Sequence, residues 1–88
     1  MLARSSPSDA DATRQRCEAA VLSAADLVAR DRTDGVLEKV LPCLEEPDEL
    51  PPWTVSTAAN LVSFVRLCDF DFDGALAIQD WAAPYHSR

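Results

Sequence analysis

The chain has 88 residues, of which 48% are hydrophobic, and its 15 acidic and 8 basic side chains give a formal net charge of −7. This length suits one small domain that buries about 60% of its unfolded surface, and it excludes a two-domain enzyme with a cleft between the domains. The negative charge disfavours nucleic acid and anionic membranes as partners because the electrostatic contribution would be repulsive, and no apolar stretch approaches the roughly 18 residues of a membrane span.

The composition predicts an all-α fold, since only two glycines are present and helix-favouring alanine is abundant. We expect a small four-helix bundle built from two antiparallel helical hairpins. In this prediction residues 1–8 form a flexible N-terminal lead, residues 9–83 a single helical domain, and residues 84–88 a C-terminal tail.

The first helix is predicted to run from a cap at Asp9 or Asp11 to Arg30, because acids favour the positive end of a helix and cations its negative end. Its apolar positions recur at intervals of three and four residues and form one narrow face: Cys17, Ala20, Val21, Ala24, Leu27 and Val28. A neutral helix with one narrow face of this kind is expected to serve as scaffold.

A second helix is predicted after a polar break, with Thr33 or Asp34 as its cap. Its inner face would consist of Val36, Leu37, Val40, Leu41 and Leu44. Pro42 lies within this pattern and removes a backbone hydrogen bond at a cost of ~3 kcal/mol in a regular helix interior. The helix is therefore expected either to end near Leu41 or to kink there, and residues 45–50 are expected to form an exposed loop.

The adjacent prolines Pro51 and Pro52 mark the start of a third helix that we expect to reach Leu67, because the first turn needs no amide donor. Apolar residues cover much of its girth, which predicts a central position in the bundle or contact with a partner. A last short helix is predicted over residues 74–83, ended by Pro84.

The excess negative charge lies in residues 31–88, which hold eleven acids and four bases. It is concentrated in two clusters: Glu45, Glu46, Asp48 and Glu49 form one, and Asp69, Asp71 and Asp73 form the other. Each cluster is interpreted either as a solvated loop followed by a helix start, or as a surface for a basic partner or a cation.

The second cluster fits the spacing of a calcium-binding EF-hand loop, with Asp69, Asp71, Asp73 and Asp80 at ligand positions and Gly74 at the sharp turn. Aromatic residues occupy its second and fourth positions, and an aspartate stands in place of the usual bidentate glutamate. The competing interpretation is that one of these aspartates caps the last helix while the neighbouring phenylalanines dock under the hairpin. No cofactor is the main expectation, and Ca²⁺ is the alternative.

The hairpin between the third and fourth helices resembles one helical family. The resemblance rests on Leu61-Val62, on Asp71-Phe72-Asp73-Gly74-Ala75-Leu76-Ala77-Ile78-Gln79, and on a helix start at Leu50-Pro51-Pro52 that is similar to the Leu-x-x-Pro of the family. The family includes the steroid receptor RNA activator protein and the C-terminal domain of the outer COPII coat subunit. The resemblance covers residues 50–81, needs a two-residue insertion in the loop, and has Gln79 in place of the family's histidine. It implies a helical bundle that acts through protein contacts and has no catalytic centre.

The three cysteines, Cys17, Cys43 and Cys68, form no CxxC pair, and the single histidine, His86, lies near the C-terminus. A structural zinc site is therefore not expected. An odd number of thiols without a signal peptide predicts a reducing compartment with buried, inert cysteines, and hence an intracellular and mainly cytoplasmic protein. The first six residues also permit a mitochondrial location, because they have some features of a presequence.

We do not expect an enzyme, because the histidine lies where order is least expected and no glycine-rich phosphate loop is present. Every Trp, Tyr and Phe lies after Pro52, and either all of them belong to the core or some anchor a protein interface. The predicted partner-binding residues are Trp53, Phe64, Trp81, Tyr85, Glu45, Glu46, Asp48 and Glu49. The predicted function is a non-catalytic interaction or scaffold module, a small subunit or adaptor in a homo- or hetero-oligomer, whose partner presents a basic-rimmed groove. The alternative function is a calcium-binding regulatory module that uses the EF-hand-like loop at residues 69–80.

Overall fold

The computed structural model describes residues 7–87. The first six residues, which contain most of the predicted lead and the presequence-like segment, and Arg88 lie outside the described residues. The helices are α1 (Pro7–Ala29), α2 (Val36–Val40), α3 (Pro52–Cys68) and α4 (Phe72–His86). Two 3₁₀ turns, Leu41–Glu45 and Pro47–Glu49, connect α2 to α3. No strand occurs within residues 7–87, so the prediction of an all-α fold is confirmed.

The turn between α1 and α2 depends on backbone that adopts positive φ. Asp31 has a φ of 60° and Gly35 a φ of 81°, and Gly35 is the residue directly before α2. No side chain caps this helix, so the prediction that Thr33 or Asp34 does so is wrong. A left-handed residue at the helix entrance suits glycine, which has no Cβ to clash with the backbone.

Pro42 ends the α-helical winding of the second segment. The α-helix stops at Val40 and the chain continues as the 3₁₀ turn Leu41–Glu45, which confirms the prediction of a helix that ends near Leu41. Residues 45–50 contain a second 3₁₀ turn where an exposed loop was expected, although the four acidic side chains in it are exposed. Leu50, the last residue of this connection, is buried.

The α3–α4 hairpin is closed by hydrogen bonds at its turn. The Gly74 amide donates to Asp71 Oδ1 at 2.9 Å, which caps α4, and Arg66 Nη1 donates to the Gly74 carbonyl at 3.2 Å. Helix α4 begins at Phe72, two residues before the predicted start. An N-cap aspartate is stabilising because its carboxylate satisfies an amide that the helix leaves without a partner.

Helix α4 continues past Pro84, so the prediction that this proline ends the helix is wrong. Pro84 has no amide to donate within the helix, and the residue is exposed to solvent. Beyond it, His86 Nδ1 lies 2.5 Å from Ser56 Oγ on α3, and His86 Nε2 lies 2.7 Å from Gln79 Oε1. Gln79 Nε2 in turn donates to Asn60 Oδ1 at 2.9 Å. This chain of hydrogen bonds holds the last turn of α4 against α3.

Small aliphatic residues form the core. The main cluster consists of Val21, Ala24, Val36, Val40, Ala58, Leu61, Val62 and Val65, drawn from α1, α2 and α3. None of the aromatic residues is buried, so the interpretation that all of them belong to the core is wrong. A core made mainly of valine and alanine buries little apolar area per residue, so it contributes modestly to stability.

A disulfide joins Cys17 on α1 to Cys43 in the first 3₁₀ turn, with the two Cα atoms 5.7 Å apart. Cys17 packs with Leu50 and Val55 in a second, smaller cluster of the core. The prediction of inert, reduced thiols is therefore wrong for this pair, and Cys68, the free cysteine, is exposed and not buried. The bond therefore links α1 to the first 3₁₀ turn beside this smaller cluster.

Candidate protein-interaction groove

A shallow groove opens between the first 3₁₀ turn and α4. Its lining consists of four apolar side chains and one carboxylate: Leu41, Leu44, Ile78, Trp81 and Glu45. Its volume is about 310 Å³. Trp81 is 41% exposed and Leu41 is 37% exposed, whereas Leu44 and Ile78 are half-buried and pack against the main core. The floor of the groove is therefore continuous with the core, and its walls are accessible.

The local winding of each element places these side chains on one side. Leu41 and Leu44 lie three residues apart on a 3₁₀ turn, in which side chains at i and i+3 are aligned. Ile78 and Trp81 lie three residues apart on α4, where this spacing also puts two side chains on one face. Two pairs of apolar side chains thus face each other across the groove.

Trp81 is held in place by Tyr85, one turn further along α4. The two ring centroids lie 5.6 Å apart with an interplanar angle of 32°. The Tyr85 hydroxyl donates to Asp48 Oδ1 at 3.2 Å, which connects α4 to the second 3₁₀ turn. An aromatic side chain that is already ordered loses little conformational entropy when a partner binds to it.

The acidic rim of the groove consists of Glu45 in its lining and of Glu46, Asp48 and Glu49 in the adjoining turns. Residues 38–49 contain five acids and one base, and Glu45 lies in the groove lining itself. The two ion pairs found within residues 7–87, Arg14–Asp11 and Arg30–Asp26, both lie in or next to α1 and do not involve these acids, although Arg16 of α1 lines the neighbouring depression together with Glu45 and Glu46.

Two of the rim carboxyl groups crowd each other. A hydrogen bond with Glu46, together with the nearby Glu46 charge, raises the pKa of Glu49 above its ordinary value. Like charges held this close disfavour ionisation because each negative charge destabilises the other. The rim therefore carries a high density of negative charge that a cationic group would relieve.

The structure brings together four of the predicted partner-binding residues, Glu45, Asp48, Trp81 and Tyr85, at or beside this groove. Glu46 and Glu49 belong to the adjoining acidic turns, and Glu46 lines a neighbouring depression of about 260 Å³ next to the disulfide. The remaining two, Trp53 and Phe64, are exposed on α3 and do not line the groove.

Leu41, Leu44 and Ile78 line the groove but were not predicted to do so, because their spacing also fits the buried face of a helix. Pro42 could have indicated the positions of the two leucines, because it changes the winding from α-helical to 3₁₀ between Val40 and Leu44.

Exposed apolar side chains also surround the tip of the α3–α4 hairpin. Phe70 is 80% exposed and Phe72 62%, with their ring centroids 6.4 Å apart in an edge-on arrangement, and Leu67 and Leu76 are exposed nearby in sequence. The expectation that the two phenylalanines dock under the hairpin is therefore wrong. This tip lies at the opposite end of α4 from Trp81.

The acidic segment that fits an EF-hand spacing is mostly helical in the structure. Asp69 follows the end of α3, Asp71 caps α4, and Asp73 and Asp80 lie within α4. Within the described part of the chain, no three His, Cys, Asp or Glu side chains are placed so that they could hold a metal ion. The observed role of Asp71 is that of the helix cap, as the competing interpretation proposed.

No helix among residues 7–87 combines the length and apolar character needed to cross a membrane.

No family model matches the chain, and no solved structure matches it either. The resemblance of the hairpin to the family of the steroid receptor RNA activator protein and the COPII coat subunit therefore stays a prediction.

The chain is similar to a segment of serine/threonine-protein kinase PknK from two strains of Mycobacterium tuberculosis and from Mycobacterium bovis. In each case 39% of 70 aligned residues are identical, and the alignment covers 80% of this chain. The chain spans only 6% of the length of these kinases.

Proposed function

We propose that this chain is a non-catalytic helical module that binds a protein partner through the groove between the first 3₁₀ turn and α4. The observation that carries the proposal is the exposed Trp81 side chain, which is held by Tyr85 beside an apolar depression. Ordered, partly exposed tryptophans in apolar depressions are frequent energetic centres of protein interfaces. In this proposal the chain serves as a small subunit or adaptor of a larger assembly.

The similarity to PknK supports a module that acts by contact. The matched segment forms a small fraction of a protein named as a kinase, and the chain itself has no glycine-rich loop that could cradle a nucleotide phosphate. We infer that this chain and the kinase segment share a helical unit whose role is to present surfaces to other parts of an assembly.

The expected intracellular, mainly cytoplasmic location remains part of this proposal and now has to accommodate the Cys17–Cys43 disulfide. Disulfides persist in oxidising compartments and are rare in a reducing cytosol. Rapid alkylation of the thiols in the cells of origin, followed by mass spectrometry, measures how much of this pair is oxidised there. Full reduction supports a cytoplasmic location, and full oxidation contradicts it.

Affinity capture with matched variants tests the binding function. Wild-type protein, Trp81→Ala and Phe70→Ala are immobilised at equal density and exposed to an extract of the organism from which the chain comes. Phe70→Ala is the control because Phe70 is the more exposed aromatic residue and lies at the other end of the α3–α4 hairpin.

The proposal predicts at least one protein that wild type and Phe70→Ala retain equally and that Trp81→Ala loses. Circular dichroism of each variant confirms that the helices are intact. Capture of the same proteins by all three variants contradicts the assignment of the groove, and loss with Phe70→Ala alone would move the interface to the tip of the hairpin.

A further inference from the structure

We propose that the occupant of the groove is a cationic amphipathic helix of a partner protein, which inserts apolar side chains beside Trp81 and places Lys or Arg against Glu45 and the acidic turns. This inference rests on the proposed function and goes further, because it specifies the chemistry of the partner. It reverses the geometry expected from the sequence, in which the partner would present a basic-rimmed groove.

The shape of the groove favours a helical occupant. Its two walls are a 3₁₀ turn and a helix, and each contributes two apolar side chains three residues apart. A helix that offers apolar side chains at i, i+3 or i+4, and i+7 presents a ridge that matches such a depression. An apolar floor continuous with the core gives this ridge a surface that excludes water.

The negative charge around the groove favours an occupant that carries positive charge. Glu45 lies in the lining of the groove. Asp48 accepts a hydrogen bond from Tyr85, whose ring packs on the groove residue Trp81. Asp80 is exposed and directly precedes Trp81 in α4. Within residues 38–49 five acids outnumber one base, Lys39, and Arg16 of α1 adds a second base where it lines the neighbouring depression with Glu45 and Glu46. A partner with flanking Lys or Arg gains attraction and faster association, whereas an acidic partner is repelled.

A second copy of this chain is a poorer occupant because each copy has a net charge of −7. Like net charges on both molecules oppose association at low ionic strength. The bases that a second copy could offer within its described α1, such as Arg14, are partly engaged by its own acids.

A pair of synthetic peptides tests the inference. The first has about 18 residues, enough for a stable helix, with leucines at i, i+3, i+4 and i+7 and lysines on either side of that stripe. The second has glutamate at every lysine position. Binding is followed by the fluorescence of Trp81 in a Trp53→Phe background, so that only the groove tryptophan reports.

The lysine peptide is expected to shift the Trp81 emission with saturation, and the glutamate peptide is expected to bind at least about tenfold more weakly. Glu45→Gln should weaken binding of the lysine peptide severalfold and reduce its dependence on salt, while Glu18→Gln on α1 leaves both unchanged. Because each variant removes one carboxylate, a difference between them is due to where the carboxylate lies and not to the change in net charge.

Equal binding of the two peptides, or an equal effect of Glu45→Gln and Glu18→Gln, would overturn the inference of a cationic occupant. Sedimentation analysis of the chain alone is a further test. A dimer that dissociates in Trp81→Ala would identify a second copy as the occupant and would also overturn the inference of a cationic helix. If the lysine peptide fails to bind while extract proteins still depend on Trp81, the proposed function stands and the cationic helix does not. If both experiments fail, neither proposal stands.

Discussion

The Tyr85 hydroxyl and Asp48 Oδ1 lie 3.2 Å apart although 37 positions separate them in the chain. This hydrogen bond joins the last turns of α4 to the acidic 3₁₀ turn, and the Trp81 ring packs on Tyr85 beside it. One contact therefore connects the aromatic and the acidic components of the groove. It explains why residues from two separate clusters of the sequence form one surface.

The pKa of Glu49 provides a test of the acidic rim. The folded state raises this pKa above the ordinary value of 4.5, so the folded protein binds the proton more tightly than the unfolded chain does. The resulting contribution to stability is present below pH 4.5 and is lost as the pH rises through the folded pKa of Glu49. NMR titration of the Glu49 side-chain carboxyl measures this pKa directly.

Replacement of the neighbouring carboxyl should lower the Glu49 pKa. In Glu46→Gln the repelling charge is gone, and the new amide can donate to the ionised Glu49 carboxylate and favour it. Glu38→Gln, which lies outside this pair, should leave the titration where it is in wild type. An unchanged Glu49 pKa in Glu46→Gln would show that the two carboxyl groups do not interact.

Loss of the Cys17–Cys43 disulfide is expected to destabilise the fold by about 3–4 kcal/mol, because the bond closes a long loop in the unfolded chain and the core is small. Urea denaturation of the double variant Cys17→Ala/Cys43→Ala measures the change, and reduction of wild type with a dithiol should reproduce it. Cys68→Ala removes an exposed thiol and should change the stability by less than about 0.5 kcal/mol. If wild type, the double variant and Cys68→Ala are equally stable, the disulfide does not stabilise the fold.

Thr54 offers a stabilising substitution. Its side chain is fully buried in α3 and its Oγ1 has no hydrogen-bond partner. Thr54→Val keeps the shape and removes the unsatisfied hydroxyl, so the free energy of unfolding should rise by about 1–2 kcal/mol. Thr57→Val, a half-buried position on the same helix, should change it by less than about 0.5 kcal/mol. Thermal denaturation of both variants measures these changes in stability. A loss of stability in Thr54→Val would show that the Thr54 hydroxyl of wild type has a hydrogen-bond partner in solution.

Gly74 and Asp71 are predicted to be coupled. A Cβ at Gly74 would overlap the Asp71 carboxylate that caps α4, so Gly74→Ala should expel that side chain and cost about 1 kcal/mol. Asp71→Ala alone should cost a similar amount through loss of the cap.

In the Asp71→Ala background the clash no longer exists, and Gly74→Ala should then be neutral or stabilising because alanine favours helix over glycine by about 1 kcal/mol. The double-mutant cycle gives the coupling from chemical denaturation. Additive losses would contradict the capping geometry.

The start of α3 could be predicted from local chemistry, and the end of α4 could not. Pro52 opens α3 as expected because a proline at a helix start gives up no hydrogen bond. Pro84 predicts a helix end by the same local rule, but His86 contacts Ser56 and Gln79 and holds the helix together beyond it. Contacts between residues 30 positions apart are invisible to a rule that considers neighbours only.

The exposure of Trp81 and of the acidic residues beside it could be predicted, because charged side chains favour solvent and a small chain cannot bury every aromatic side chain. Leu41 and Leu44 were expected on the inner face of an α-helix. The tighter winding after Val40 places both in the lining of the groove, where Leu44 still packs against the core and Leu41 is exposed, and their positions depend on where Pro42 breaks the helix. The disulfide could not be predicted from the sequence either, because its formation depends on how closely α1 approaches the first 3₁₀ turn.

Site-specific photocrosslinking in the cells of origin tests the binding role of the groove most directly. A benzophenone side chain is placed at Leu41, on the groove wall, and in a separate protein at Leu22, which is 63% exposed on α1. Light is expected to produce a discrete crosslinked partner from position 41 and none from position 22, and Trp81→Ala is expected to abolish the crosslink. Crosslinking from position 22 alone, or crosslinking from position 41 that persists in Trp81→Ala, would contradict the assignment of the groove as the binding surface.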